Sequence, residues 1–205
     1  MIAMAWILYC ALHSLLADDR VKRWAYRRWP RAMPYYRLAF NLQSTMLLMP
    51  ILWLVYGAES PWLWRWQGAW AWLANGMAFL ALVGIMLSTR SYDLREFLGL
   101  RQLQAGEGED RQRFVLSGFH RYVRHPWYSL SLLLIWTRDM SAPLLVSALA
   151  ITLYFIIGSE REERSLIARY GEAYRIYRKK VPGLFPLPWK YLKAAEAAEL
   201  TGRPH

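Results

Sequence analysis

The chain has 205 residues, 56% of them apolar and 16% aromatic, which exceeds the roughly 45–50% apolar content of soluble domains. Lys and Arg number 26 against 15 Asp and Glu, a net charge of +11; the excess is confined to particular loops, which argues against a nucleic-acid-binding face. One cysteine excludes an internal disulfide, and four histidines without Cys-rich spacing exclude a zinc cluster.

Residues 2–17 carry no charge. They lack a basic stretch ahead and a small-residue cleavage site behind, so they read as a helix of the mature protein, not a leader. Cys10 lies within them and is expected to be an inert core residue. Residues 38–57 and 69–89 are two further uncharged stretches of about 20 residues, the length that crosses a bilayer. Residues 127–159 are too long for one span and are interrupted by TRDMSAP at 137–143. This predicts a hairpin of two helices, the first of them short. The fold class is therefore all-α, a polytopic membrane protein with about five transmembrane helices.

The charge follows the same segmentation. Residues 18–37 hold seven Lys/Arg and two acids, residues 90–126 seven and five, and residues 160–205 ten and six. The connections 58–68 and 137–143 hold one arginine each. Basic loops alternate with poor ones, and the positive-inside rule then puts the N-terminus outside and the C-terminus in the cytoplasm. The whole chain reads as one membrane domain. Residues 1–89 form its three-helix N-terminal part, 90–126 a cytoplasmic loop, and 127–188 the hairpin and the C-terminal part. Within the loop, GLRQLQAGEGEDRQRF at 99–114 is the expected mobile element.

Beyond the last span, Leu166, Ile167, Tyr170, Tyr174 and Tyr177 recur at spacings of three and four, one apolar face of a helix. Gly171 interrupts that helix and marks a bend, and VPGLFPLP ends it. The tail KYLKAAEAAEL is weakly helical, and the terminal TGRPH is expected to fray.

The residues with chemical capacity flank the hairpin. Ahead of it stands GFHRYVRHPWYSL, 118–130. Pro126 suits the first turn of a helix, and it biases His125 towards an extended backbone. The helix N-terminus adds a positive dipole end, and Arg124 adds a planar fork for carboxylate or phosphate. Arg124, His125 and the helix end thus form a candidate anion site. Equally, Arg121 and Arg124 could reach to lipid headgroups with Tyr122, Trp127 and Tyr128 as an aromatic belt. After the hairpin come Glu160, Glu162 and Glu163; on a helix Glu160 and Glu163 share a face and Glu162 points elsewhere. A hairpin returns its two ends to one side, so cation and anion would surround a small pocket at the membrane edge. Such a pocket suits a zwitterion bearing a carboxylate and an ammonium. His13 and Asn41 are polar positions within spans, either lining an acceptor path or bonding helix to helix.

GFHRYVRHPWY, a hairpin, then EERSLIARYGEAYRIYRKKVPGLFP resembles the C-terminal signature of the isoprenylcysteine carboxyl methyltransferase family and its phospholipid methyltransferase relatives. The resemblance covers residues 112–188. Upstream, LHSLLADDRVK and YYRLAFNLQ look like the bacterial branch with methanethiol S-methyltransferase and NnrU-type proteins. The resemblance implies an integral-membrane methyltransferase of a bacterial inner membrane that uses S-adenosyl-L-methionine. It implies cofactor contacts at Arg124, His125, Pro126, Trp127 and Tyr128, at Gln112, Phe114 and Val115 upstream, at His120, and at Glu160 or Glu163. Arg124 would anchor the cofactor or hold an anionic acceptor, with His125 orienting it. The implied acceptor is small or lipophilic: a thiol, an isoprenylcysteine carboxylate or a lipid amine. Gln112 stands where eukaryotic members have histidine. Trp127 stands where many have a small residue or methionine, which narrows the site against a large prenyl group. Two alternatives share the scaffold: a non-catalytic NnrU-like protein, and a sterol-reductase-like enzyme using NADPH.

Overall fold

The structure is a computed structural model that describes residues 1–89, 94–105 and 116–201. Its order is α1 (Ile2–Ala17), α2 (Asp19–Arg28), a 3-10 turn (Pro30–Ala32), α3 (Met33–Gly57), β1 (Trp62–Trp64), α4 (Gly68–Thr89), α5 (Leu94–Leu98) and α6 (Leu100–Ala105). A second 3-10 turn (Phe119–Arg121) follows, then α7 (Pro126–Trp136), β2 (Met140–Ser141), α8 (Ala142–Lys180) and α9 (Ala194–Thr201). The all-α membrane architecture holds; the only strands among the described residues, β1 and β2, form one short antiparallel pair.

Apolar helices occupy the five expected stretches, as α1, α3, α4, α7 and α8, and the first helix of the hairpin, α7, is short as expected. Among the described residues, three helices are long and apolar enough by themselves to cross a bilayer: the stretch Pro30–Gly57, α4 and α8. The 16-residue α1 reaches that length only together with α2, across a 59° bend. The 11 residues of α7 extend about 16 Å at 1.5 Å per residue, roughly half of a bilayer core. Large apolar side chains such as Trp53, Trp72 and Leu80 stand exposed on the long helices, as lipid-facing surface does.

The chain divides into two compact units. The first comprises Met1–Trp64, Tyr92–Arg111 and Met140–Ala150. Here Asp18 caps α2 by accepting from the Arg20 N–H at 2.7 Å. The Tyr36 hydroxyl donates to the Leu16 carbonyl at 2.7 Å, and buried Trp6 donates its indole N–H to Ser147 at 2.9 Å. His13 meets Ser44 at 3.0 Å, and Asn41 donates to the Phe97 carbonyl at 3.0 Å. Both intramembrane polar positions therefore bond helix to helix. Residues 100–105 of the expected mobile loop are the helix α6; the rest of it, apart from Gly99, lies outside the described residues.

The second unit comprises Arg65–Ser91, Gln112–Asp139 and Ile151–His205. On α4 the buried positions are all small: Ala74, Ala78, Ala81, Gly84 and Ser88. This stripe lets α7 approach closely, the usual basis of helix packing in lipid. A Cβ on Gly84 would stand 3.0 Å from the Leu130 side chain. Arg138, at the C-terminal end of α7, donates to Asn75 at 3.1 Å. Asp139 accepts from the Trp66 N–H at 3.0 Å and pairs with Arg65 at 3.5 Å.

The long α8 is two helices joined at Gly171, whose φ of 59° and ψ of −129° are non-helical. That is the left-handed side of backbone space, which only glycine enters freely, so the bend expected at Gly171 is present. Beyond it, Tyr174, Tyr177, Val181 and Leu192 form a buried cluster with Leu166, Ile167 and Tyr170 against it, as the spacing predicts. The tail is anchored here too: Arg121 and Leu192 exchange backbone and side-chain hydrogen bonds at 2.9 Å each. Only residues 202–205 of the expected fraying end lie outside the described residues.

Candidate functional site

Pro126 opens α7 at its first turn, and His125 precedes it with φ −123° as a non-helical cap. α7 and α8 run back along each other, tied by Trp136 donating to Thr152 at 3.0 Å and by Tyr128 stacked on Phe155 at 4.5 Å. The hairpin thereby returns residues 124–128 to residues 162–163, as expected. At its centre is Glu163, whose side chain is 5% exposed. It accepts from Arg124 Nε at 2.8 Å and from Arg178 Nε at 2.9 Å, and it meets His125 Nε2 at 3.1 Å.

Of the three acids, the one that faces the RHP stretch from a buried position is Glu163, while Glu160 is exposed. Glu162 does not point elsewhere. Its carboxylate lies 3.5 Å from His125 Nδ1 and accepts from the Tyr128 hydroxyl at 3.2 Å. The two consecutive acids straddle the imidazole, one at each ring nitrogen, and the ring stacks on Tyr128 at 5.4 Å. Burial by itself would lower the His125 pKa, but hydrogen bonds and charge from Glu162 and Glu163 prevail and raise it above 6.5. Burial by itself would raise Glu163, but the hydrogen bonds and charges of His125 and Arg124 prevail and lower it below 4.5. The result is an imidazole with a carboxylate at each ring nitrogen, an arrangement that favours its protonated form.

Arg124 is committed elsewhere than to an open anion site. Besides Glu163, its guanidinium donates to the carbonyls of Arg178, at 3.0 Å, and Val181. Its backbone N–H donates to Pro182 at 2.9 Å, and that of His125 donates to Gly183 at 3.2 Å. Arg124 thus pins the Val181–Gly183 segment to the start of α7. Arg121 is likewise turned inward, onto the Leu192 carbonyl, so neither arginine simply reaches for headgroups.

His120 has Ser117 around its Nδ1, with the backbone N–H donating at 3.3 Å and the hydroxyl at 2.7 Å. Burial first, and then the charge of His125, push its pKa down to about 4. It is therefore neutral near pH 7, with Nδ1 accepting and the proton on Nε2. Its carbonyl accepts from the Tyr177 hydroxyl at 2.7 Å. Trp127 is half-buried on the first turn of α7. Gln112, Phe114 and Val115 lie outside the described residues.

One site residue, Arg178, escaped the sequence reading, in which Tyr174 is only part of an apolar helix face. Arg178 reaches Glu163 because the chain turns at Gly171, and its side chain remains 50% exposed. Its position four residues after Tyr174, on the same helical face, was the available signal. Buried Tyr174 sits in the same field; burial and then Glu163 push its pKa up. Exposed charge therefore comes from Arg178 and from Glu162, whose side chain is 48% exposed. A cation and an anion stand open at the rim of a buried, compensated core.

The chain is 34% identical over 185 residues to "Methanethiol S-methyltransferase 2" of Bradyrhizobium diazoefficiens, covering 87% of this chain and 70% of that protein. It is 30% identical over 188 residues to "Methanethiol S-methyltransferase" of Crocosphaera subtropica, covering 87% and 71%. A protein of the same name from Mycobacterium tuberculosis is 30% identical over 199 residues, covering 90% and 76%. No family model and no solved structure matches the chain.

Proposed function

The chain belongs to the membrane methyltransferase family of these methanethiol S-methyltransferases, and from that premise we propose that it methylates the sulfur of a thiol using S-adenosyl-L-methionine. The carrying observation is the pair of half-exposed, oppositely charged groups at the rim of the Glu163 cluster, Arg178 and Glu162. This donor set fits the amino-acid end of that cofactor: a guanidinium for its carboxylate and a carboxylate for its ammonium. Held there by Arg178 and Glu162, the cofactor would supply an electrophilic methyl group to the sulfur of an ionised thiol and leave as S-adenosylhomocysteine, the thiol proton going to solvent.

The protein's own contribution is alignment and charge. Arg124 and His125 act as positioning residues, one holding the 181–183 segment and the other spanning Glu162 and Glu163. With His125 protonated, three cations face two carboxylates. The half-exposed Arg178 guanidinium favours an ionised thiol at the rim. The names of the relatives favour this enzyme over the non-catalytic and NADPH-dependent readings. The protein acts in a bacterial inner membrane with its N-terminus outside and this site on the cytoplasmic side, where the basic loops lie.

The test is calorimetric binding of S-adenosylhomocysteine to the protein in detergent. Wild type should bind, and Arg178→Ala and Glu162→Gln should each bind at least about tenfold more weakly, as loss of a charged hydrogen bond implies. Folded wild-type protein that does not bind overturns the proposal.

A further inference from the structure

Next to the charged cluster the second unit contains an apolar cavity of about 640 Å³. Its walls include Pro126, Leu130 and Leu133 of α7 and Leu184, Phe185 and Pro186 of the segment that Arg124 pins. Two hydroxyls on its wall, those of Ser129 and Thr152, are engaged: Ser129 donates to the His125 carbonyl at 2.9 Å, and Thr152 accepts from the Trp136 indole at 3.0 Å. Little is left to hold water, so the cavity suits an apolar occupant. Val123 and Pro126 on its wall bracket Arg124 and His125 in the chain. The charged cluster and the cavity therefore share residues 123–126, the stretch that leads into α7. Trp127, the residue expected to narrow the site, is not among the lining side chains.

We infer that this cavity receives the apolar body of the methyl acceptor, which is an alkyl or aryl thiol much larger than methanethiol. The inference rests on the thiol methyltransferase reading above. Methanethiol has two non-hydrogen atoms and fills about the space of two waters, on the order of 60 Å³. It would occupy about a tenth of the cavity. Ordinary ligand sites of roughly 300–1,000 Å³ hold drug-sized molecules. A thiol with an apolar chain of six to ten carbons would place that chain against Leu130, Leu133 and Leu184 and leave its sulfur at the charged rim. The competing occupant is a lipid acyl chain.

The experiment measures kcat/KM for 1-alkanethiols from methanethiol to octanethiol, with the thioether product quantified by mass spectrometry. In wild type it should rise about fourfold per methylene, the burial of one CH₂ expressed as a ratio. Partition into detergent also favours longer thiols, so the variants decide. Leu133→Trp fills the cavity and should flatten the series beyond three or four carbons. Leu153→Trp, on an exposed face of α8, should keep the wild-type slope. Phe185→Ala opens an exposed wall residue at little folding cost and should raise KM for octanethiol several-fold. Equal slopes in wild type and Leu133→Trp, with KM unchanged in Phe185→Ala, overturn the inference and leave the cavity to lipid. Wild type that prefers methanethiol overturns it too. Protein that binds S-adenosylhomocysteine but methylates no thiol overturns this inference and the thiol acceptor, and leaves the cofactor site standing. Protein that does not bind it overturns the proposed function and this inference together.

Discussion

Replacing Glu163 by glutamine should destabilise the protein more than any other single change in the charged cluster. The side chain is 5% exposed and takes two buried cationic partners, Arg124 (13% exposed) and His125 (5% exposed). Glutamine keeps the shape but removes the charge and turns an N–H towards a cation. Breaking a buried ion pair from one side costs about 3–5 kcal/mol. Two considerations favour the lower figure. Arg178 is half exposed, so its pair with Glu163 contributes about 0–1 kcal/mol. His125 can also shed its proton once Glu163 is neutral. About 3 kcal/mol at this chain length lowers Tm by about 6–12 °C. Tryptophan fluorescence during heating in detergent reads this directly, since the chain has 12 tryptophans. Arg178→Ala should melt within about 4 °C of wild type, because its partner keeps two other cations. A Glu163→Gln protein that melts within about 2 °C of wild type would refute the claim that the cluster's charge is buried and mutually compensated.

Stability should also depend on pH with a defined sign. His125 holds its proton more tightly folded than at the reference value of 6.5, so its contribution is full below pH 6.5 and fades as pH rises through the folded value. Glu163 is lowered from 4.5, so its contribution is present above that pH and fades as pH falls through the folded value. Tm should fall from pH 6.5 towards 9, and less steeply in His125→Asn; parallel slopes would count against the clamped imidazolium. In the first unit, Gly99 has φ +88°, and a Cβ there would stand 2.8 Å from the Leu38 backbone nitrogen. Gly99→Ala should cost about 1–3 kcal/mol, and an unchanged melting curve would show that this approach is relaxed.

What the sequence by itself determined are the properties that short-range chemistry carries. Hydropathy marked where the long apolar segments lie, and charge marked which loops are basic. Pro126 announced the start of α7, and Gly171 announced the break in α8. The spacing from Leu166 to Tyr177 announced the face that becomes the buried cluster. The TRDMSAP break implied a hairpin, and a hairpin implied that the RHP stretch meets the acids. All of this comes from periodicity, turn chemistry and composition within windows of some twenty residues.

The tertiary structure decided who meets whom. Glu160, Glu162 and Glu163 are equivalent by type, and only the rotation of α8 against α7 buries Glu163 and leaves Glu160 exposed. Arg124 reads as an open anion anchor until the chain beyond Gly171 returns, 54 to 57 residues later, and its carbonyls take the guanidinium. Arg178 joins the site by that same return. The cavity has walls only once the 184–186 segment is held against α7. Partners this far apart in sequence leave no periodic trace, because their pairing depends on the packed geometry of several elements at once and not on the preference of any one.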